Sequence, residues 1–200
     1  MGLFSRLFGS KDESAGESAG GTRKTTADNP YCINDPAIGF LNLRGSAGED
    51  MMAVDRKIVG PLFRDVRESR GDVPQCAVLF LYGDIDASGR FVGGAQSLRE
   101  IIKSAGAYIA VVASENNPDY YMKCIEPHNG WNANITLTLN RKGENLPNFF
   151  AEVFRRMFAG ASMVMAWVEL APQIPGHQHP HAPETIMVPE AGHLAFGRGG

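Results

Sequence analysis

Two carboxylates stand close together in the segment GDIDASG, where Asp84 and Asp86 follow an apolar run. Carboxylates at this spacing could bind Mg²⁺, because hard cations prefer oxygen ligands. The residues Asp-Ala-Ser-Gly also form ordinary polar turns, in which side chain oxygens bond to the backbone nearby. We expect a turn here, with a metal site as the alternative.

A thiol and an imidazole occur together in the segment YYMKCIEPH, as Cys124 and His128. A base near a cysteine lowers the pKa of the thiol and raises its reactivity, so the two could form a dyad if Pro127 turns the chain back. Such dyads are usually assembled from distant segments. We therefore expect a free buried cysteine beside a surface histidine, and a cysteine peptidase is the alternative.

Three histidines alternate in the segment GHQHPH, as His177, His179 and His181. Imidazole is a good ligand for Zn²⁺. The stretch has no HExxH motif and no cysteine, and its prolines favour a Pro/His-rich loop near residues 172–183. We predict no cofactor, with a zinc-dependent hydrolase as the alternative.

Aromatic residues suggest a surface that binds a partner. Tyr and Trp bury a large area with little loss of rotamer freedom, which favours them at recognition sites. Trp131, in the segment HNGWNAN, could equally anchor an ordinary loop, and both interpretations stay open. The candidate binding residues are Tyr82, Asp84, Asp86, Tyr120, Tyr121 and Trp131.

The elements that must position these residues alternate between strands and helices. Apolar runs and helical spacing predict strands at residues 38–43, 76–82, 108–114 and 134–140, and helices at residues 49–69, 95–106 and 145–160. The first helix could break at Gly60-Pro61. SMVMAWVELA is a strand or a helix with Ser162 as N-cap, and we favour the helix; ETIMV and HLAFG predict short strands. This order predicts an α/β fold with a mostly parallel sheet flanked by helices.

Composition bounds the domain count and the class of partner. The chain has 200 residues, of which 44% are hydrophobic, so it can bury one sizeable core. We divide it into a short amphipathic segment (1–10), a flexible linker (11–30) and a single α/β domain (31–200). A net charge of −3 without any Lys/Arg run argues against nucleic acid as a partner.

The compartment follows from the cysteines and from the beginning of the sequence. The three cysteines are far apart and odd in number, which fits a reduced compartment and predicts a cytoplasmic protein. In the segment 1–10, MGLFSRLFGS, the apolar side chains share one helical face, a pattern that can lie on an anionic bilayer. We expect this segment to fray or to pack on its own domain, because a single short apolar patch binds a bilayer only marginally; a weak peripheral contact with the inner membrane face through these residues is the alternative.

The order of motifs between residues 76 and 171 resembles the CHAT branch of the caspase-fold peptidases. In that family a buried strand ends in His-Gly, and the next buried strand ends in Ser-Ala-Cys. Here VLFLYGD leads through a helix to YIAVVASEN, and the later Gly-x-Ser-x-x-x-Ala pattern is matched by Gly160, Ser162 and Ala166. The resemblance covers about half of the chain. It implies a caspase-like or similar doubly wound topology.

The departures from that family fall on its catalytic dyad. The family's histidine aligns with Tyr82, and its nucleophilic cysteine aligns near Glu115. A tyrosine cannot serve as a base near neutral pH without a large pKa shift, and a carboxylate does not replace a thiolate. The resemblance therefore implies a pseudoenzyme.

A looser similarity to TIR domains suggests Glu126 as a catalytic candidate, although Pro127 directly follows it. The favoured hypothesis is a degenerate caspase-fold-like domain that binds or regulates a protein partner. The alternative is a hydrolase that uses Cys124 with His128, or a metal at the histidine cluster.

Overall fold

The computed structural model describes residues 25–93, 96–126, 130–171 and 182–199. Their strands are β1 (Tyr31–Asn34), β2 (Ala37–Asn42), β3 (Asp65–Ser69), β4 (Val78–Tyr82), β5 (Ile109–Val112), β6 (Asn134–Asn140), β7 (Glu184–Pro189) and β8 (Leu194–Gly197). The core of the protein is a six-stranded sheet in the order β3-β2-β4-β5-β6-β7, in which every neighbouring pair is parallel except β6 and β7. A separate two-stranded sheet pairs β1 with β8 in parallel.

Helices cover both faces of the large sheet. They are α1 (Ser46–Val59), α2 (Leu98–Ala105), α3 (Pro118–Cys124), α4 (Asn145–Phe158) and α5 (Met163–Leu170), with a 3-10 turn at Gly60–Leu62. Alternate strand residues point to opposite faces, so Phe80 packs under α1 and α4, whereas Leu79 and Leu81 pack under α2 and α3. Helix α5 packs against α4 on the first face.

The predicted fold class is confirmed: the protein is α/β, with a mostly parallel sheet flanked by helices. Strand β6 and helix α4 begin at the predicted residues. The segment SMVMAWVELA is helical, and the Ser162 hydroxyl accepts a hydrogen bond from the backbone N–H of Met165 at 3.3 Å. Helix α2 begins with a capping box between Ser97 and Glu100 and ends at Gly106 in the left-handed conformation.

The prediction of a helix through residue 69 is wrong beyond Val59. The chain passes through the 3-10 turn at Pro61, which lacks a backbone N–H, and then forms the edge strand β3. β3 pairs with β2 over the whole of its length, and this nonlocal pairing overrides the local pattern. The sequence patterns also predicted neither strand β1 nor helix α3. β1 depends on pairing with the distant β8, which a local pattern does not show.

The proposed domain limits fall partly outside the described residues. The amphipathic segment 1–10, most of the linker 11–30 and most of the loop near 172–183 lie there. Within the linker, Thr25 donates a hydrogen bond from Oγ1 to the carbonyl of His193 at 3.0 Å and accepts one from the N–H of His193 at 2.9 Å. Among the described helices, none has both the length and the apolar character needed to cross a membrane.

Candidate functional site

Four parallel strands end at one edge of the sheet, which we call the carboxyl edge. β2 ends at Asn42 and β4 at Tyr82, Ser114 follows β5, and Arg141 follows β6. In open α/β sheets, ligands bind in the crevice outside the carboxyl ends of the strands. This edge is therefore the first place to look for a functional site.

A buried ion pair lies at the carboxyl edge, between Asp55 of α1 and Arg141. Arg141 donates from Nη2 to Asp55 Oδ1 at 2.7 Å and from Nη1 to Oδ2 at 3.1 Å, which is a bidentate pair. The Tyr82 hydroxyl donates to Asp55 Oδ2 at 2.9 Å. Arg141 also donates to the carbonyl of Ala113 at 2.7 Å, so the network ties α1 to the ends of β4, β5 and β6.

The environment of this network fixes the protonation of Tyr82. Its side chain is fully buried, and burial, followed by the charge of Asp55 and the hydrogen bond to it, raises the pKa of Tyr82 well above its ordinary value. Burial also raises the pKa of Asp55, while hydrogen bonds from Arg141 and Tyr82 and the Arg141 charge lower it. A tyrosine held protonated in this way cannot act as a general base near neutral pH.

Asp55 and Arg141 were not among the sequence candidates, although a signal for each exists. Asp55 shares the buried face of α1 with Met52 and Val59, and a carboxylate on an apolar helical face needs a charged partner. Arg141 directly follows a predicted strand. Local patterns in the sequence can therefore indicate each residue separately. They do not predict that two residues so far apart in the sequence form a pair.

A second polar cluster fixes the loops after β4 and β5 to each other. The Ser114 hydroxyl donates to the carbonyl of Gly83 at 2.6 Å and accepts from its N–H at 3.0 Å. Asn116 Oδ1 accepts from the N–H of Ile85 at 2.7 Å, and Glu115 Oε1 accepts from the N–H of Arg141 at 2.9 Å. The polar side chains that follow β5 therefore hold backbone in place.

A cleft of about 330 Å³ lies beside these clusters, at the carboxyl ends of β2 and β4. The chain runs from β2 to β3 on one side and returns to β4 on the other, so the strand order reverses between β2 and β4. Ligands in doubly wound sheets bind at this switch point. The apolar lining consists of Leu43, Phe91, Val92 and Ile101, and the polar lining includes Asn42, Arg70 and Gln96.

The predicted carboxylate pair forms a turn and an ion pair. Asp86 Oδ1 accepts from the N–H groups of Ser88 and Arg90 at 2.8 and 3.1 Å, and these hydrogen bonds, with one from the Ser88 hydroxyl, lower the pKa of Asp86. Asp84 is exposed and pairs with Arg44 at 2.9 Å. Within the described ranges, no group of three or more His, Cys, Asp or Glu residues could hold a metal ion.

The aromatic candidates lie in different parts of the fold. Tyr82 and Tyr121 are in the core, and the Tyr121 hydroxyl donates to the carbonyls of Thr138 and Ser114 at 2.8 and 3.2 Å, so neither ring can contact a partner in this conformation. Tyr120 is half-buried. Trp131 donates from Nε1 to the carbonyl of Ala107 at 2.7 Å and therefore lies at the amino ends of the strands, not at the carboxyl edge.

The catalytic candidates outside the carboxyl edge are placed only in part. Cys124 is buried, and burial raises the pKa of its thiol to about 11, so the thiolate is scarce at neutral pH. Glu126 is exposed and accepts a hydrogen bond from Lys123 at 2.7 Å. His128, His177, His179 and His181 lie outside the described residues, so the pairing with Cys124 and the zinc site stay predictions.

Cysteine labelling is expected to separate the three thiols. Cys32 is exposed, whereas Cys76 and Cys124 are buried with thiol pKa values raised to about 12 and about 11. We expect iodoacetamide to label Cys32 first across roughly pH 6 to 10, because the thiolate is the nucleophile. Mass spectrometry of the folded protein reports each rate. Rapid labelling of Cys124 with an acid-shifted midpoint would contradict this and support the peptidase alternative.

Comparison of the chain with known proteins adds no relative to this description. No family model, curated protein or solved structure matches it. The class that the structure itself defines is an α/β protein with a doubly wound, mostly parallel sheet and a cleft at its switch point.

Proposed function

We propose that this domain is a degenerate caspase-fold-like module that binds and regulates a protein partner through the carboxyl edge of its sheet. The observation that carries the proposal is the cleft between the ends of β2 and β4, whose lining contains both apolar and polar side chains. Recognition sites combine buried apolar area with a few polar groups that fix orientation. Val92, which is 57% exposed, offers an apolar side chain to a partner at this cleft.

The positions that the resemblance assigns to catalysis support a binding role. Tyr82 is enclosed in the network with Asp55 and Arg141, and its hydroxyl is held protonated. Glu115 is exposed, and one of its carboxylate oxygens accepts a backbone hydrogen bond from Arg141. Neither side chain offers a thiolate or a neutral base, so the carboxyl edge supplies shape and hydrogen bonds.

The hydrogen-bonded loops also favour recognition at this edge. Ser114 and Asn116 hold the loop after β4 against the loop after β5. The ring of Phe91 packs against Gly83, where any side chain would collide with it, so the cleft wall is set by close contact. A wall that is already ordered loses less conformational entropy when a partner binds.

Site-specific photo-crosslinking tests the proposed surface. We expect a photoreactive amino acid at Val92 to form an adduct with a protein partner in the cells from which the sequence comes. The matched control is the same amino acid at Met165, which is 40% exposed on α5 at the opposite face of the sheet. An adduct at position 92 that is absent at position 165 supports the proposal. Equal adducts at both positions, or none at position 92, would contradict it.

The location of the module is part of the same proposal. A cytoplasmic location with reduced cysteines would suit a regulatory module, and the apolar residues in the sequence of the segment 1–10 would add a weak peripheral membrane contact. A single short apolar segment binds bilayers only marginally, so the membrane would concentrate the domain near its partner without anchoring it permanently.

A further inference from the structure

The strand β3 lies at one edge of the large sheet. β3 is the first strand of the large sheet, and its only strand partner among the described residues is β2. An edge strand presents unpaired N–H and C=O groups that can template an additional strand. Extended peptides bind other proteins in this way, with backbone hydrogen bonds for affinity and side chain pockets for specificity.

A groove runs beside this edge on the face that carries α1. It has a volume of about 500 Å³ and lies between the last turns of α1 and the strand β3. Val66 is paired with Ile38 of β2, whose side chain is in the core of that face, so Val66 points into the same side as α1. Ala53, Pro61, Phe63 and Val66 line the groove together with Arg56 and Lys57.

Among the described residues, the ion pairs around the groove leave the charge of Lys57 available. Arg56 pairs with Glu68 at 2.5 Å, and Arg67 pairs with Asp65 at 2.5 Å on the opposite face of the strand. These pairs neutralise the charges that would otherwise discourage strand addition. Lys57 is exposed and its side chain makes no ion pair with another residue in the described part of the chain. The groove therefore combines an apolar lining with the charge of Lys57.

We propose that β3 accepts an extended peptide as a seventh strand of the large sheet, with an apolar side chain over Val66 and an acidic side chain near Lys57. Because alternate residues of a strand share a face, the apolar and acidic residues are two positions apart in the peptide. This surface is separate from the cleft at the carboxyl edge. It adds a second binding surface to the domain and does not depend on the proposed function.

The test uses a fluorescein-labelled, end-capped peptide of sequence Thr-Val-Thr-Leu-Thr-Glu-Thr and the full chain. We expect saturable binding with a Kd of roughly 10–100 μM by fluorescence anisotropy. Amide hydrogen exchange of residues 65–69 is expected to slow when the peptide binds, since added backbone hydrogen bonds protect the strand. Binding without that protection would overturn the proposal, as would no binding up to about 1 mM.

Charge exchange identifies the side chain that reads the acidic residue. Lys57→Glu is expected to weaken binding about three- to tenfold, and a peptide with Lys in place of Glu is expected to restore it. Lys103→Glu, the same change on an exposed position of α2, is the matched control and is expected to leave affinity unchanged. Equal weakening by both variants would contradict the proposed contact.

Val66→Lys distinguishes a peptide from a second copy of the chain. A lysine at position 66 would point to the α1 side of β3, where the apolar residue of the peptide is to pack, so this variant is expected to lose peptide binding while circular dichroism shows an unchanged fold. We expect sedimentation to show the same oligomeric state for the unmodified chain and for the Val66→Lys variant. A dimer of the unmodified chain that Val66→Lys abolishes would overturn the proposal in favour of pairing between two β3 edges.

Discussion

Replacement of Arg141 by methionine is expected to lower the free energy of unfolding by about 3–5 kcal/mol. The variant removes the partner of Asp55, which is completely buried, and leaves a carboxylate without its bidentate ion pair. It also frees the carbonyl of Ala113 from its hydrogen bond. Urea unfolding followed by circular dichroism measures the change. A loss of less than about 1 kcal/mol would show that this pair behaves like a surface pair.

An apolar replacement of the whole network is the matched control. The triple variant Asp55→Leu, Tyr82→Phe and Arg141→Met removes both charges and the hydroxyl that donates to the carboxylate. Because it leaves no uncompensated charge, we expect it to recover most of the stability that Arg141→Met loses. If the triple variant is less stable than the single variant, the uncompensated charge of Asp55 does not explain the loss, and the network itself stabilises the folded domain.

The pH dependence of the Arg141→Met variant tests the same explanation. Arg141 lowers the pKa of Asp55, so its removal lets burial raise that pKa further. A carboxyl group whose folded pKa lies above its unfolded value contributes stability at low pH, and this contribution is lost as the pH rises through the folded pKa. The loss of stability is therefore expected to be smaller at about pH 5 than at about pH 8.

Replacement of Phe154 by alanine is expected to cost about 3–5 kcal/mol of unfolding free energy. Phe154 is completely buried on α4, and its ring lies 5.4 Å from that of Phe63, 5.7 Å from that of Phe196 and 6.3 Å from that of Phe80. These contacts join the large sheet, the end of the 3-10 turn and the small sheet. Truncation therefore leaves a cavity where three parts of the domain meet.

Phe149→Ala is the control for this effect on the same helix. Phe149 is half-buried and contacts Phe150 and Trp167, so its truncation is expected to cost about 1–2 kcal/mol. Thermal unfolding of both variants, at the same two pH values as Arg141→Met, measures the difference. Neither aromatic change involves a titratable group, so a pH dependence like that of Arg141→Met would contradict the charge explanation above.

The carboxyl edge carries both the buried network and the cleft that we propose as a binding site. The network of Asp55, Tyr82 and Arg141 fixes the ends of three strands, and the contacts of Ser114 fix the loops beside the cleft. Loss of the network would therefore be expected to alter the cleft as well as stability. Crosslinking from Val92 in the Arg141→Met variant can be compared directly with that of the triple variant.

Local sequence determined most of the elements of this protein. Apolar runs located β4, β5 and β6, and helical spacing with a serine cap located α5, because burial and backbone hydrogen bonding impose fixed periods on a chain. The alternation of these elements was sufficient for the fold class. Turn chemistry at Asp86 could also be predicted, because its hydrogen bonds reach only a few residues along the chain.

The tertiary structure decided what depends on distant partners. β3 is a strand because β2 offers it an edge, although its sequence continues a helical pattern. Tyr82 and Tyr121 are core residues and Trp131 lies at the opposite end of the strands, because the sheet and its covering helices set burial and position. The bidentate contact between Asp55 and Arg141 joins residues 86 positions apart, so only the folded chain could bring the two charges together.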